Sequence, residues 1–348
     1  MTMKKILCLT ALMTSIFMLS ACSHTPNQNQ QVTMQINTSN LIEQRLMSHL
    51  SALEDIAAAH GGNRAVGTDG GKATATYIIE EAKKAGLHAQ MLPFENRNKI
   101  VGQNIIIEIK GKNPDLATII GAHYDSVTTG PGINDNGTGV AVLLELLQHY
   151  SKSENHPQNT IYLAFWDSEE DGIGGSQDFV AKMTPEQLKG IKAYINVDMV
   201  GTKNPNILVA DVDKSSLKDL EAQFKSAGLS ESDYKPMIDG LKSLPSHPED
   251  TALEEHLKSF FKAKNLTIKE DITTLTASDT SPFLGKVPVT SIILFNEQER
   301  PGSNEGEIIL DFAPCYHQAC DTKDLVDPKS MIMALEAIQH LLKVTNTQ

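Results

Sequence analysis

ATIIGAHYDS, residues 117–126, runs from an apolar segment straight into a histidine, a tyrosine and an aspartate. A buried strand that ends in this way places ionisable groups at its carboxyl end. The pattern repeats twice. TIYLAFWDSEE (160–170) ends on Glu169 and Glu170, and KAYINVDM (192–199) delivers Asp198. With NIIIEIK (104–110), these short apolar runs read as strands. GTGVAVLLELLQHYS (137–151) and SQDFVAKMTPEQLKG (176–190) separate them with helical periodicity. Strands alternating with helices predict an α/β fold of three layers, a central mixed, mostly parallel sheet flanked by helices. In open sheets of this kind, ligands bind beyond the carboxyl ends of the strands.

Any one of these acids alone is explained as a solvated cap or turn residue. Together they crowd like charges into one cleft, which raises pKa values and costs stability unless a cation offsets them. Imidazole and carboxylate without thiolate suit zinc, with manganese or cobalt as chemical alternatives. A second imidazole, His317, lies in CYHQACD (315–321). A further acid, Asp135, lies in the glycine-rich GPGINDNGTGV (130–140). That loop lacks the lysine and the spacing of a phosphate-binding loop, so metal binding explains it better than a nucleotide.

The chain has 348 residues, 40% hydrophobic and 21% charged, with a formal net charge of −13 and a mean hydropathy of −0.22. This composition supports a large core and argues against nucleic acid as a partner. The start has a basic segment MTMKK, an apolar run from Ile6 to Ala21 and an abrupt polar segment CSHTPNQNQQ. That is the layout of a secretory signal peptide, too short for a membrane span. LSAC (19–22) further resembles a bacterial lipoprotein signal in which Cys22 becomes the lipidated first residue. We therefore expect residues 1–22 to be a signal, residues 23–40 a flexible Asn/Gln/Thr-rich tether, and residues 41–348 one catalytic domain. The expected location is the outer-membrane or periplasmic face, or the medium if Cys22 is not lipidated. Cys315 and Cys320 remain in the exported chain, and in an oxidising compartment a close pair reads as a disulfide.

Helical periodicity over 41–60 and over KATATYIIEEAKKAG (72–86) precedes the strands. After Asp198 the pattern loosens, with helices expected near 215–228 and 248–264. A last strand, PVTSIILF (288–295), and a last helix near 328–344 complete it.

The set HYDS, NDNGTGV, SEEDG, NVDMVG and CYHQACD, in this order, resembles the two-zinc leucyl aminopeptidases. Their superfamily includes glutamate carboxypeptidases, transferrin-receptor-like proteins and glutaminyl cyclases. RAVGT (64–68) and ASDTSPF (277–283) support the likeness, which runs from about Arg64 to the C-terminus. It implies a phosphorylase/hydrolase-like zinc-exopeptidase domain holding two zinc ions. Asp135 would bridge them, His123 and Asp198 would complete one site, and Glu170 and His317 the other. Glu169 would be the general base, Tyr316 a donor to the oxyanion, and Asp125 the partner of His123's second nitrogen. Cys315 and Cys320 match a disulfide around this histidine. The implied substrates are peptides with a free N-terminus, and the lipid anchor would supply a membrane contact.

Three other readings compete. A glutaminyl cyclase would use a single zinc, but NDNGTGV and NVDMVG look more like the two-metal peptidases. A carboxypeptidase needs a basic residue to grip a carboxylate, and none stands out. A non-catalytic ectodomain, metal-binding or metal-free as in the receptor branch, would be marked by lost ligands, whereas all five candidates are present here.

Overall fold

Alternate residues of the apolar runs point to opposite sides of a strand, and here both sides are buried. The computed structural model describes residues 28–301 and 308–345, with side chains described for 39–300 and 309–345. The expected signal and Cys22 lie outside the described residues. The chain divides at residue 40 into two units, residues 1–40 and 41–348.

Helix α1 (Gln28–Ala59) begins inside the first unit, within the stretch whose composition suggests a tether. No glycine or proline interrupts residues 28–59, and both are the usual stop signals. In the second unit α2 (Asp69–Lys84) follows, its first turn capped by Thr68, whose side chain accepts from the Gly71 amide. The chain continues through β1 (Ala89–Glu95), β2 (Val101–Ile109), β3 (Asn113–His123), α3 (Thr138–Tyr150), β4 (Asn159–Trp166), α4 (Gly174–Lys182), α5 (Pro185–Gly190) and β5 (Ile191–Asp198). Then come β6 (Asn206–Ala210), α6 (Leu217–Ser226), α7 (Glu231–Lys242), α8 (Asp250–Ala263), β7 (Ile268–Asp271), β8 (Val289–Phe295), β9 (Gln298–Pro301), β10 (Ile308–Asp311) and α9 (Pro328–Thr345).

Eight strands form one sheet in the order β1-β2-β4-β3-β5-β8-β6-β7, and β9 pairs with β10 separately. The centre is parallel: β3 lies between β4 and β5, and β5 pairs with β8. Antiparallel pairs sit towards the edges, β1 on β2, β2 on β4 and β6 on β8. The sheet is thus mixed with a parallel core, as the strand–helix alternation predicts.

One face, through Ile105, Ile107, Ile120, Leu163, Phe165 and Ile195, packs on α1, α2, α3, α8 and α9. The other, through Ile106, Ile119, Ala164, Trp166 and Tyr194, is covered by residues of α4, α6 and α7. Each fully buried aliphatic contributes roughly 1.5–3 kcal/mol relative to exposure. This double cover fixes β3, β4 and β5 in register. His123 lies opposite Trp166, and Gly121 opposite both Ala164 and Asn196. The three strands therefore end at one level, and their polar ends share one edge.

Candidate metal centre

His123 ends β3 and Asp198 ends β5, while Glu169 and Glu170 follow β4 after a short turn. Asp135 enters from the turn Ile133–Gly137 that leads into α3, with a cis peptide between Asp135 and Asn136. His317 comes from the loop between β10 and α9. The structure brings all of them together. Nε2 of His123 lies 3.3 Å from Asp135 Oδ1 and 3.6 Å from Asp198 Oδ1. Nε2 of His317 lies 3.2 Å from Asp135 Oδ2 and 3.1 Å from Glu170 Oε2. Two triads result, His123–Asp135–Asp198 and Asp135–Glu170–His317, and Asp135 belongs to both.

Two observations bear on whether a metal fits. Asp198 Oδ1 and Glu170 Oε1 are buried and have no hydrogen-bond partner, a costly state for a carboxylate unless a cation faces it. Each triad also offers one imidazole nitrogen and carboxylate oxygens within 4.8 Å of one another. The donor set is one that zinc accepts. The residues present therefore fit bound metal.

Without metal, the imidazoles stand in for the cations. Burial alone would lower the pKa of His123, but Asp198, Asp125 and Asp135 outweigh it and hold it well above the usual value. Burial likewise opposes charge on His317, yet Asp135 and Glu170 raise it to about 10. Burial works to raise the Asp135 carboxyl, and the two imidazoles prevail and push it down. Glu170 rises to about 7 through burial and the nearby Asp135 charge. Glu169 is driven well up, first by burial; His123 opposes this, while Asp279 and Asp198 reinforce it.

The residues around the two triads hold them in place. Asp125 approaches His123 with Oδ1 3.4 Å from Nδ1, while its backbone carbonyl lies 3.3 Å from the same nitrogen. Its two oxygens also accept the amides of Glu169 and Glu170, at 3.1 and 3.3 Å. One buried carboxylate thus orients a histidine on β3 and the acid pair beyond β4. Cys315 and Cys320 form a disulfide around His317. Tyr316 stacks on the His317 ring at 3.8 Å, and burial with the Asp135 and Glu170 charges pushes its hydroxyl pKa up. Several non-glycine residues in or beside the cluster adopt positive φ: Ser168 before Glu169, Met199 after Asp198, and Cys315 and His317 themselves. Such backbone is costly and concentrates at functional sites.

Sequence reasoning missed a second set. Ser278 donates to Asp198 Oδ2 at 2.7 Å and accepts from Asn196, which accepts from the Tyr194 hydroxyl, which in turn accepts from the Trp166 indole. This buried chain occupies one oxygen of Asp198 and leaves the other facing His123. Asp279 is fully buried, bonded by Ser176, and raised to about 7 by burial. Their signal was ASDTSPF, which reads as no more than a supporting likeness. Arg64 and Asp321 were also passed over.

A mixed α/β sheet that brings two candidate triads with a shared carboxylate to its carboxyl edge fits a metal-dependent enzyme. Residues 104–342 match Peptidase family M28, and the chain belongs to that family. It is 37% identical over 184 residues to leupeptin-inactivating enzyme 1 of Streptomyces exfoliatus, covering 52% of this chain and 41% of that protein. It is 32% identical over 231 residues to the probable lipoprotein aminopeptidase LpqL of Mycobacterium tuberculosis, covering 65% and 42%. The chain thus spans about two fifths of the length of these curated relatives. Among solved structures, an aminopeptidase from Aneurinibacillus shares the fold at a TM-score of 0.61 and 14% identity, covering 87% and 95% of the two chains. A glutaminyl cyclase from Porphyromonas gingivalis shares it at 0.60 and 18%, covering 87% and 98%.

Proposed function

We propose that this chain is a zinc aminopeptidase that removes N-terminal residues from peptides. The observation that carries the reading is the Asp135 carboxylate set between His123 and His317, one oxygen towards each. His123, Asp135 and Asp198 would hold one metal, and Asp135, Glu170 and His317 the other. Bound zinc supplies a Lewis acid that lowers the pKa of water and polarises a scissile carbonyl.

The chain's own groups do the rest. Glu169, anchored through its amide to Asp125, takes a proton from the attacking water and passes it to the leaving amine. Tyr316, fixed by its stack on His317, donates its hydroxyl to the carbonyl oxygen as that atom gains charge. The free α-amine of a substrate can sit against the second metal position and the carboxylates beside it, which favours cutting at an N-terminus.

The cyclase and aminopeptidase structures share this fold, so the fold does not choose between them. The choice rests on both triads being present, which a single-zinc cyclase does not need. We further propose that the lipoprotein-type start places the enzyme outside the cytoplasm, tethered through Cys22. No helix among the described residues is long and apolar enough to cross a membrane. The likeness to LpqL supports a lipid anchor. The test is hydrolysis of leucyl p-nitroanilide set beside cyclisation of a glutaminyl substrate by the zinc-loaded protein. Release of nitroaniline with no cyclisation supports the reading, and the reverse refutes it.

A further inference from the structure

Arg64 lies in the glycine-rich loop between α1 and α2 and is fully buried. A buried guanidinium normally faces a carboxylate, but this one faces backbone carbonyls. Its Nε donates to Pro131 O at 2.8 Å and its Nη2 to Gly132 O at 2.6 Å. Its Nη1 donates to Tyr124 O, and its backbone amide donates to Ser126 Oγ at 2.8 Å. These partners belong to two segments only. Tyr124 and Ser126 follow His123, and Pro131 and Gly132 precede the turn that carries Asp135. One rigid fork therefore ties the histidine of one triad to the approach to the shared carboxylate.

The turn is held from its other side by Asp321, also buried. Its oxygens accept the Asn134 amide at 2.9 Å and the Asp135 amide at 3.2 Å, and its carbonyl accepts from Ile133. Asp321 directly follows Cys320, so the same residue links the turn to the disulfide loop of His317. Gly132 completes the fit. Its φ is +61°, and a Cβ there would lie 2.5 Å from Ser126 Cβ and 3.2 Å from Arg64 Nη2.

We infer that Arg64 and Asp321 are positioning residues of the metal centre, a clamp that holds the Ile133–Gly137 turn so that Asp135 presents one oxygen to each metal. The inference rests on the two-metal reading above. Five planar donors let a guanidinium reach three carbonyls at once, whereas the point charge of lysine cannot span them. Neither residue touches the ligand atoms. They act through the backbone that carries Asp135.

The test titrates the metal-free full-length protein with Co²⁺, read by its visible spectrum, in wild type, Arg64→Lys and Asp321→Asn. Circular dichroism and thermal midpoints are measured alongside. The expected result is that the wild type takes up two ions, while each folded variant binds its weaker ion 10- to 100-fold less tightly, as for other groups that orient metal ligands. kcat for leucyl p-nitroanilide should fall in parallel, KM should stay within a few-fold, and excess metal should restore turnover. A merely structural role would lower the thermal midpoint and leave metal affinity unchanged in the folded protein. If Arg64→Lys does not fold, Asp321→Asn decides. A folded variant that binds both ions as the wild type does overturns the clamp, whereas a wild type that binds none overturns the two-metal reading itself.

Discussion

Asp135 Oδ2 lies 3.2 Å from Nε2 of His317, although one residue follows the third strand and the other precedes the last helix. The disulfide between Cys315 and Cys320 closes the loop that makes this approach. We expect Cys315→Ser with Cys320→Ser to cost about 2 kcal/mol, as a short closed loop removes little chain entropy. Activity should fall as well, with kcat down at least about tenfold as the Tyr316–His317 stack loses its frame. Paired melting and kinetic measurements check this, and a melting loss with full activity would speak against the role.

Glu169 carries the proton transfers in this account. Glu169→Gln preserves size and one acceptor oxygen yet cannot accept a proton. Metal content should match the wild type while kcat drops about 10²- to 10⁴-fold, the range of general acid–base catalysis. Metal analysis beside steady-state kinetics provides the check, and turnover near wild type would assign the base elsewhere.

Asp125 joins His123 to the amides of Glu169 and Glu170. Asp125→Asn removes the charge beside His123 Nδ1 and weakens both amide contacts. Metal affinity should fall about 10- to 100-fold, measured by competition with a chelator. An unchanged affinity would mean that the backbone carbonyl of Asp125 alone orients the ring.

The metal-free protein should respond to pH in a defined direction. His317 is raised from 6.5 to about 10, chiefly against the opposing effect of burial, by its contacts with Asp135 and Glu170. A group whose folded pKa is raised contributes stability that is complete below the unfolded value and lost as pH climbs through the folded one. Glu170, raised from 4.5 to about 7 by burial and by Asp135, acts with the same sign at lower pH. The thermal midpoint of the metal-free protein should therefore fall between about pH 5 and pH 10. If His123 and His317 hold zinc as proposed, both would be deprotonated in the loaded protein, which should lose this dependence across the histidine window and release protons on loading. Melting curves with and without zinc, and calorimetry in buffers of different ionisation enthalpy, test both points. A flat metal-free profile would contradict the imidazolium–carboxylate arrangement.

The site was legible where physics wrote it as a local pattern. Apolar runs ending on His123, Glu169, Glu170 and Asp198 announce buried strands with polar ends, and the sheet aligns them. Strand β1 was not legible, because AQMLPFE contains Pro93 and leaves Met91 exposed, so no clean alternation marks it. The short strands β7, β9 and β10 were too brief to show a period. Arg64 escaped for another reason. RAVGT marks it only as part of a likeness, and its burial depends on carbonyls that come together only when distant loops meet. Ser278 and Asn196 are likewise ordinary polar residues until β5 and the loop before β8 bring them beside Asp198.

The central claim is that two metal ions share Asp135 and support aminopeptidase chemistry. Stepwise addition of zinc to the metal-free protein, with leucyl p-nitroanilide hydrolysis read at each step, tests it most directly. The account predicts activity that appears with metal and levels off at about two zinc ions per chain. Saturation at one ion, or two bound ions with no hydrolysis, would contradict it.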